Sequence, residues 1–194
     1  MLKNTRQGYG AIAIALHWLT ALTVLALFPL GLWMVELDYY DTWYHKAPDV
    51  HKSTGVLLFL VVVLRLFWRS LNPHPVPLGS QLEKRVSKIA HRALYALLLL
   101  LMISGYLIST AEGDPIGVFN WISKPATLHG LRGQADIAGE IHELLAFTLI
   151  GLVAVHAGAA LKHHFIDRDR TLSRMLGTRK PGGSRTPHTQ EETL

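Results

Sequence analysis

The 194 residues are 49% apolar and only 17% charged, with a formal net charge of +5 and no cysteine. Without a thiol the chain forms no disulfide, iron–sulfur cluster, thiolate metal site or cysteine nucleophile, so any metal chemistry falls to histidine and oxygen. Apolar residues gather into long stretches with the charge between them, which excludes a soluble domain of alternating faces, extended disorder and collagen-like repeats. A membrane protein is expected.

The first stretch, Ala11 to Val35, holds 25 residues with His17 as its one strongly polar side chain, enough to cross the hydrocarbon core as a helix. It is too long for the apolar part of a signal peptide, and no A-x-A cleavage pattern follows it. The second, His51 to Trp68, is short enough for a buried soluble helix and is read as a span on the strength of its neighbours. A third covers about residues 89–109, almost pure Leu and Ile at its centre. The fourth covers about residues 140–162 and is apolar between Ile141 and Leu161 apart from His142, Glu143 and His156. The expected fold is all-α, a four-helix transmembrane bundle over residues 1–176, followed by a disordered cytoplasmic tail over residues 177–194. The loop from Thr110 to Gly139, with its GDP, NW and KP turn signals, is long enough for a lid or a docking surface on the outer side.

In an alternating four-span arrangement one side collects fifteen Lys and Arg: Lys3 and Arg6, six from Arg65 to Arg92, and seven from Lys162 to Arg185. The other holds Lys46, Lys52, Lys124 and Arg132 with nine of the fourteen acids. Both termini are therefore expected in the cytoplasm. The positive charge then belongs beside a lipid surface, and no nucleic-acid motif accompanies it.

His142 and His156 lie fourteen residues apart, a step that returns to within roughly 40° of the same helix face after a rise of about 21 Å. His17 sits about as far inside the inner end of its helix as His156, while His51 and His142 both open their helices from the outer side. Two stacked pairs follow, His17 with His156 and His51 with His142. Two neutral imidazoles per level suit a flat cofactor whose iron takes one ligand above and one below, as in bis-histidine haem b. Zinc and copper want three or four ligands in one place. An isolated membrane histidine is more often a hydrogen-bonded packing residue, but four at matching depths favour ligation.

Small residues stand where a porphyrin needs room: Ala13 and Ala21 beside His17, Gly55, Ala146 and Ala160 each four residues beyond a histidine, Gly31 above His17 and Gly105 above His91. Close helix packing in membranes uses the same residue types. The fourteen-residue step from His51 reaches Arg65, which is expected to pair with a haem propionate. Arg69 is read as snorkelling to headgroups.

The His17-Trp18 pair, HKSTG from His51, Arg65 fourteen residues later, AHRALY around His91, EIHE around His142 and the run of His156, His163 and His164 resemble the bacterial cytochrome b561 family over roughly Tyr9 to Met175. The resemblance implies a four-helix inner-membrane protein with two b haems on His17, His51, His142 and His156. It also implies electron exchange with quinone, and a member similar in length and loop pattern passes electrons from periplasmic superoxide to ubiquinone. Relatives serve as cytochrome subunits of hydrogenases and other dehydrogenases.

With both axial positions filled, outer-sphere electron transfer is expected, entering at the outer level and leaving to a quinone at the inner one. His91, His163 and His164, with Lys162 and Tyr95 nearby, are the candidates for quinone contact or proton relay. An interfacial role at a helix C-terminus is the alternative for His163 and His164, and axial ligation in place of His17 is the alternative for His91. Acid-rich outer loops oppose an anionic donor, although Lys46, Lys52, Arg132, His45 and His129 are able to steer one locally. Three readings stay open: a superoxide-to-quinone oxidoreductase, a haem subunit docking a periplasmic redox protein, and a haem-free metal transporter or scaffold.

Overall fold

A computed structural model describes residues 1–119 and 122–177. Four long helices dominate it: α1 (Ala11–Met34), α2 (Lys46–Leu71), α3 (Gln81–Ser109) and α4 (Gln134–Phe165), followed by a short α5 (Thr171–Met175). Each of the four is long and apolar enough to cross a membrane. Apart from Gly177, the tail expected to be disordered lies outside the described residues.

Three helices outrun their apolar stretches. In α2 the first turn carries Pro48 and Asp49; proline is tolerated where an amide has no helical partner, and an acid there meets the positive end of the dipole. In α3 a capping box starts the helix: the Ser80 hydroxyl accepts from the Glu83 amide while the Glu83 carboxylate accepts from the Ser80 amide at 2.7 Å. Gly133 precedes α4 in the left-handed region, at φ +67°, where glycine carries no Cβ penalty. Pro29 sits inside α1, as membrane helices permit.

α1 packs against α2 and α3 against α4, whereas α2 and α3 touch only lightly. The bundle is thus two antiparallel hairpins facing one another. Its buried apolar cluster is Val24, Leu58, Val62, Leu98 and Leu149. Val24, Leu58 and Leu98 each stand seven residues after a histidine (His17, His51 and His91), and Leu149 lies midway between His142 and His156. Seven residues are two turns, roughly 10 Å, so the core is an apolar layer separating two histidine levels. Many of the remaining apolar side chains, among them Leu22, Leu60, Leu100 and Leu144, are exposed, where lipid tails solvate them as well as a core would.

The α3–α4 connection departs from an all-helical pattern. Ile116–Val118 (β1) and Ile122–Lys124 (β2) pair antiparallel in the register Ile116 to Lys124 and Val118 to Ile122. Ile116 and Val118 are buried with Gly117 exposed between them, the period of two that a half-covered strand requires. β1 packs on α2, where the Phe119 amide donates to the Ser53 hydroxyl at 3.0 Å. At the opposite end the Trp18 indole N–H donates to the Met175 carbonyl at 2.9 Å, which ties α5 to the early turns of α1.

Candidate functional site

The histidines occupy two levels on either side of the apolar layer. At the inner level the His17 and His156 rings lie 6.3 Å apart between centroids, and at the outer level His51 and His142 are likewise 6.3 Å apart. Both pairs join opposite hairpins. Two nitrogen–metal bonds of about 2 Å plus the two ring radii come to roughly 6 Å, so each pair is spaced for one metal between its imidazoles. By contrast His91 touches His156 edge to face at 5.1 Å, the separation of rings in direct contact. Distance therefore favours His17 over His91 as the partner of His156.

Hydrogen bonds fix several tautomers. The Nδ1–H of His142 donates to the Leu101 carbonyl at 3.1 Å, with the Ser104 hydroxyl at 3.0 Å. This leaves the Nε2 lone pair free, the arrangement by which metal-binding histidines are oriented. Nδ1 of His51 is buried without a partner among the described residues. Arg65 donates to Nδ1 of His17 at 2.8 Å and lies over the Tyr95 ring at 5.3 Å. A guanidinium offers only donors, so here the His17 proton is on Nε2.

Gly31 and Gly105 stand against the outer imidazoles. A Cβ at Gly31 comes 3.2 Å from His51 Cε1, and one at Gly105 comes 3.3 Å from His142 Cε1. Gly55 has open space instead. Gly105→Ala is expected to displace the His142 ring by a few tenths of an ångström and weaken the outer site while sparing the inner one. The check is stepwise loss of cofactor absorbance from the purified protein, with Gly31→Ala giving the same pattern.

Further toward the charged end, the inner level opens on a cavity of about 40 Å³ lined by Tyr9, Arg65, Trp68, Arg69, His91 and Tyr95 among others. The Trp68 indole N–H is buried without a partner among the described residues. His91 donates from Nδ1 to the Ser87 carbonyl at 2.6 Å, which frees its Nε2. His163 lies two turns beyond His156 on the same face of α4, its Nδ1 at 2.7 Å from Asp169 and 3.0 Å from Asp167. Lys162 bridges Glu83 at 2.6 Å and Asp167 at 2.8 Å, so an ammonium already neutralises the Glu83, His163 and Asp167 donors that come within 4.8 Å of one another. His164 is exposed, its ring edge-on to Phe165 at 4.9 Å. On the outer side Lys52 pairs with Asp49 at 3.0 Å, Lys46 stands over Trp43, and the His129 ring lies beside Gly113.

Partial burial works against the charge of Asp169, yet bonds from Thr171 and His163 hold its carboxyl below the usual range. A carboxyl with a lower pKa folded than unfolded adds stability above its unfolded value and loses it as pH falls through the folded one. Acid is therefore expected to release α5 from α4 only below the ordinary carboxylate range. Hydrogen exchange of residues 167–175 against pH checks this, and Asp169→Asn should abolish the acid transition.

Ser104, Asp167, Asp169 and Glu83 did not emerge from the sequence as site residues. Only Glu83 carried a signal, the S-x-x-E capping box at Ser80.

Residues 8–178 match the family described as prokaryotic cytochrome b561. The chain is 53% identical over 176 residues to Cytochrome b561 homolog 2 of Escherichia coli strain K12, covering 90% of this chain and 94% of the relative. It is 30% identical over 178 residues to Cytochrome b561 homolog 1 of the same organism, covering 89% and 98%. To the "Probable superoxide oxidase CybB" of Yersinia pestis it is 27% identical over 179 residues, covering 87% and 95%. With four helices able to span a membrane and two levels of facing imidazoles, the chain belongs to the prokaryotic cytochrome b561 family, and is a multi-pass bacterial membrane protein of electron transfer.

Proposed function

We propose that the chain holds two b haems, between His17 and His156 and between His51 and His142, and passes electrons from periplasmic superoxide to ubiquinone at the cytoplasmic side of the inner membrane. The observation that carries the haem reading is the equal 6.3 Å spacing of two imidazole pairs at two depths. Haem b, when bound, supplies a one-electron iron couple at each level. Held between these four imidazoles, the haems would have no open position for substrate and would supply outer-sphere electron transfer. For His17 to ligate through Nε2 its proton must move to Nδ1 and Arg65 must leave that atom, which frees the guanidinium for a propionate carboxylate.

Reducing a quinone to a quinol takes two electrons and two protons. His91, with its Nε2 free beside the inner cavity, and His163, backed by Asp167 and Asp169, stand at the charged end to hydrogen-bond a carbonyl and pass protons from the cytoplasm. His164, turned to the surface, is the weaker candidate. The relative named for superoxide oxidation supports the donor.

A second reading, a cytochrome b subunit that links a periplasmic dehydrogenase or hydrogenase to the quinone pool, is favoured by the outer surface. Glu36, Asp38 and Asp41 flank Tyr39 and Tyr40 in the α1–α2 connection, and these tyrosines are 74% and 91% exposed. Acid repels superoxide, while exposed aromatics suit a protein partner. The test supplies enzymatically generated superoxide and ubiquinone to the isolated haem-loaded protein. Quinol formation abolished by superoxide dismutase supports the first reading; electron flow only after a partner subunit is added supports the second.

A further inference from the structure

We propose that the two hairpins are two-fold images of one another about an axis along the bundle, and that Arg65 and Tyr95 decide which of two equivalent positions at the inner level takes a haem. A shift of 74 residues carries His17, Val24 and Gly31 of α1 onto His91, Leu98 and Gly105 of α3. A shift of 91 residues carries His51, Leu58, Val62 and Arg65 of α2 onto His142, Leu149, Val153 and His156 of α4. In space these residues are counterparts. Val24, Leu98, Leu58, Leu149 and Val62 form the buried layer, with Val153 packed against it. A Cβ on either glycine meets the outer imidazole of its own hairpin, at 3.2 Å for Gly31 and 3.3 Å for Gly105. The inner residues of each hairpin also touch: Arg65 bonds His17 at 2.8 Å, and His156 lies against His91 at 5.1 Å. Parallel repeats related by an axis along the membrane normal are a recurrent way of building membrane bundles.

The axis gives the two levels different fates. It maps the pair of His51 and His142 onto itself, so the outer site is central and single. It maps the pair of His17 and His156 onto His91 and position 65, so the inner level has two equivalent positions, one on each side. Only one can be loaded. A guanidinium has donors and no lone pair to give iron, so arginine at position 65 leaves His91 without an opposite ligand, although the bond from its Nδ1 to the Ser87 carbonyl leaves Nε2 free.

Room is unequal as well. Ala21, Ala159 and Ala160 on the side of His17 and His156 correspond to Tyr95, Trp68 and Arg69 on the other. There Arg65 lies over the Tyr95 ring at 5.3 Å, and these four large side chains line the cavity of about 40 Å³. The inner level therefore carries one haem beside a polar cavity at the same depth, in place of two haems.

This rests on the haem reading of His17 and His156, and the test separates the two. Haem content and the low-spin electron paramagnetic resonance signal are measured on purified variants of the full chain. R65H/Y95A/H156A is expected to hold about one low-spin haem per chain more than H156A, because it supplies a ligand opposite His91 and the space of an alanine. Adding His91→Ala is expected to abolish that gain, which excludes His17 as the opposite ligand. A content no higher than in H156A, or a gain that survives the loss of His91, overturns the proposal and leaves the pair of His17 and His156 standing. Retention of two haems by H156A itself refutes that pair and takes this proposal with it. If the triple variant also loses the outer haem, R65H/H156A is read in its place, and a content no higher than in H156A overturns the proposal equally.

Discussion

His156→Ala is expected to remove the inner haem and leave the outer one partly loaded, lowering the haem content from two to below one per chain. Quinone reduction should fall at least a hundredfold, since the carrier nearest the acceptor is lost. The outer pair depends on His51 and His142, held by the Leu101 carbonyl, Ser104, Gly31 and Gly105, none of which touches His156. His91→Ala is the informative control. Its ring lies against His156 at 5.1 Å, so a merely structural cluster should suffer comparably from either substitution. With His17 as the opposite ligand, His91→Ala keeps two haems. Haem content per chain and the reduced alpha band distinguish the cases; retention of both haems by His156→Ala refutes the inner pairing.

Val62→Asp is expected to abolish the folded protein rather than one site. Val62 is fully buried in the apolar layer between the histidine levels. An aspartate at the centre of a membrane helix costs about 2.5–3.5 kcal/mol for insertion alone, and the lost packing adds to it. Because Leu58, Leu98 and Leu149 share that layer, the damage reaches both hairpins and both levels fail together. Val62→Ala, which removes two methyl groups, is expected to cost about 2 kcal/mol and to keep both haems with a lower midpoint of thermal haem loss. Selective loss of one haem in Val62→Asp refutes a shared core.

The four spans were legible because long apolar runs have few alternatives in a chain with so little charge. The histidine levels were legible too: the step from His142 to His156 is internal to one rigid helix, and the depths of His17 and His51 follow from where their helices begin. Gly31 and Gly105 emerged from the same step, although it did not show that they lie against His51 and His142 rather than merely near them. What escaped depends on short segments or on contacts between elements. The strands at Ile116 and Ile122 are three residues each, too short for a period of two to register. The helical turns at Lys46 and Gln81 are polar, so an apolar count stops short of them even though Asp49 and the Ser80 and Glu83 pair mark the starts. The bonds of His163 to Asp167 and Asp169 form after the chain has left α4, and no helical periodicity carries across that bend.

The most direct measurement is the haem content of the purified chain by pyridine haemochrome, read with its low-temperature electron paramagnetic resonance spectrum. Two b haems per polypeptide, both low-spin as two imidazole ligands require, is the predicted result. A single haem, a high-spin centre in the native protein, or a stable membrane-inserted chain without haem contradicts it.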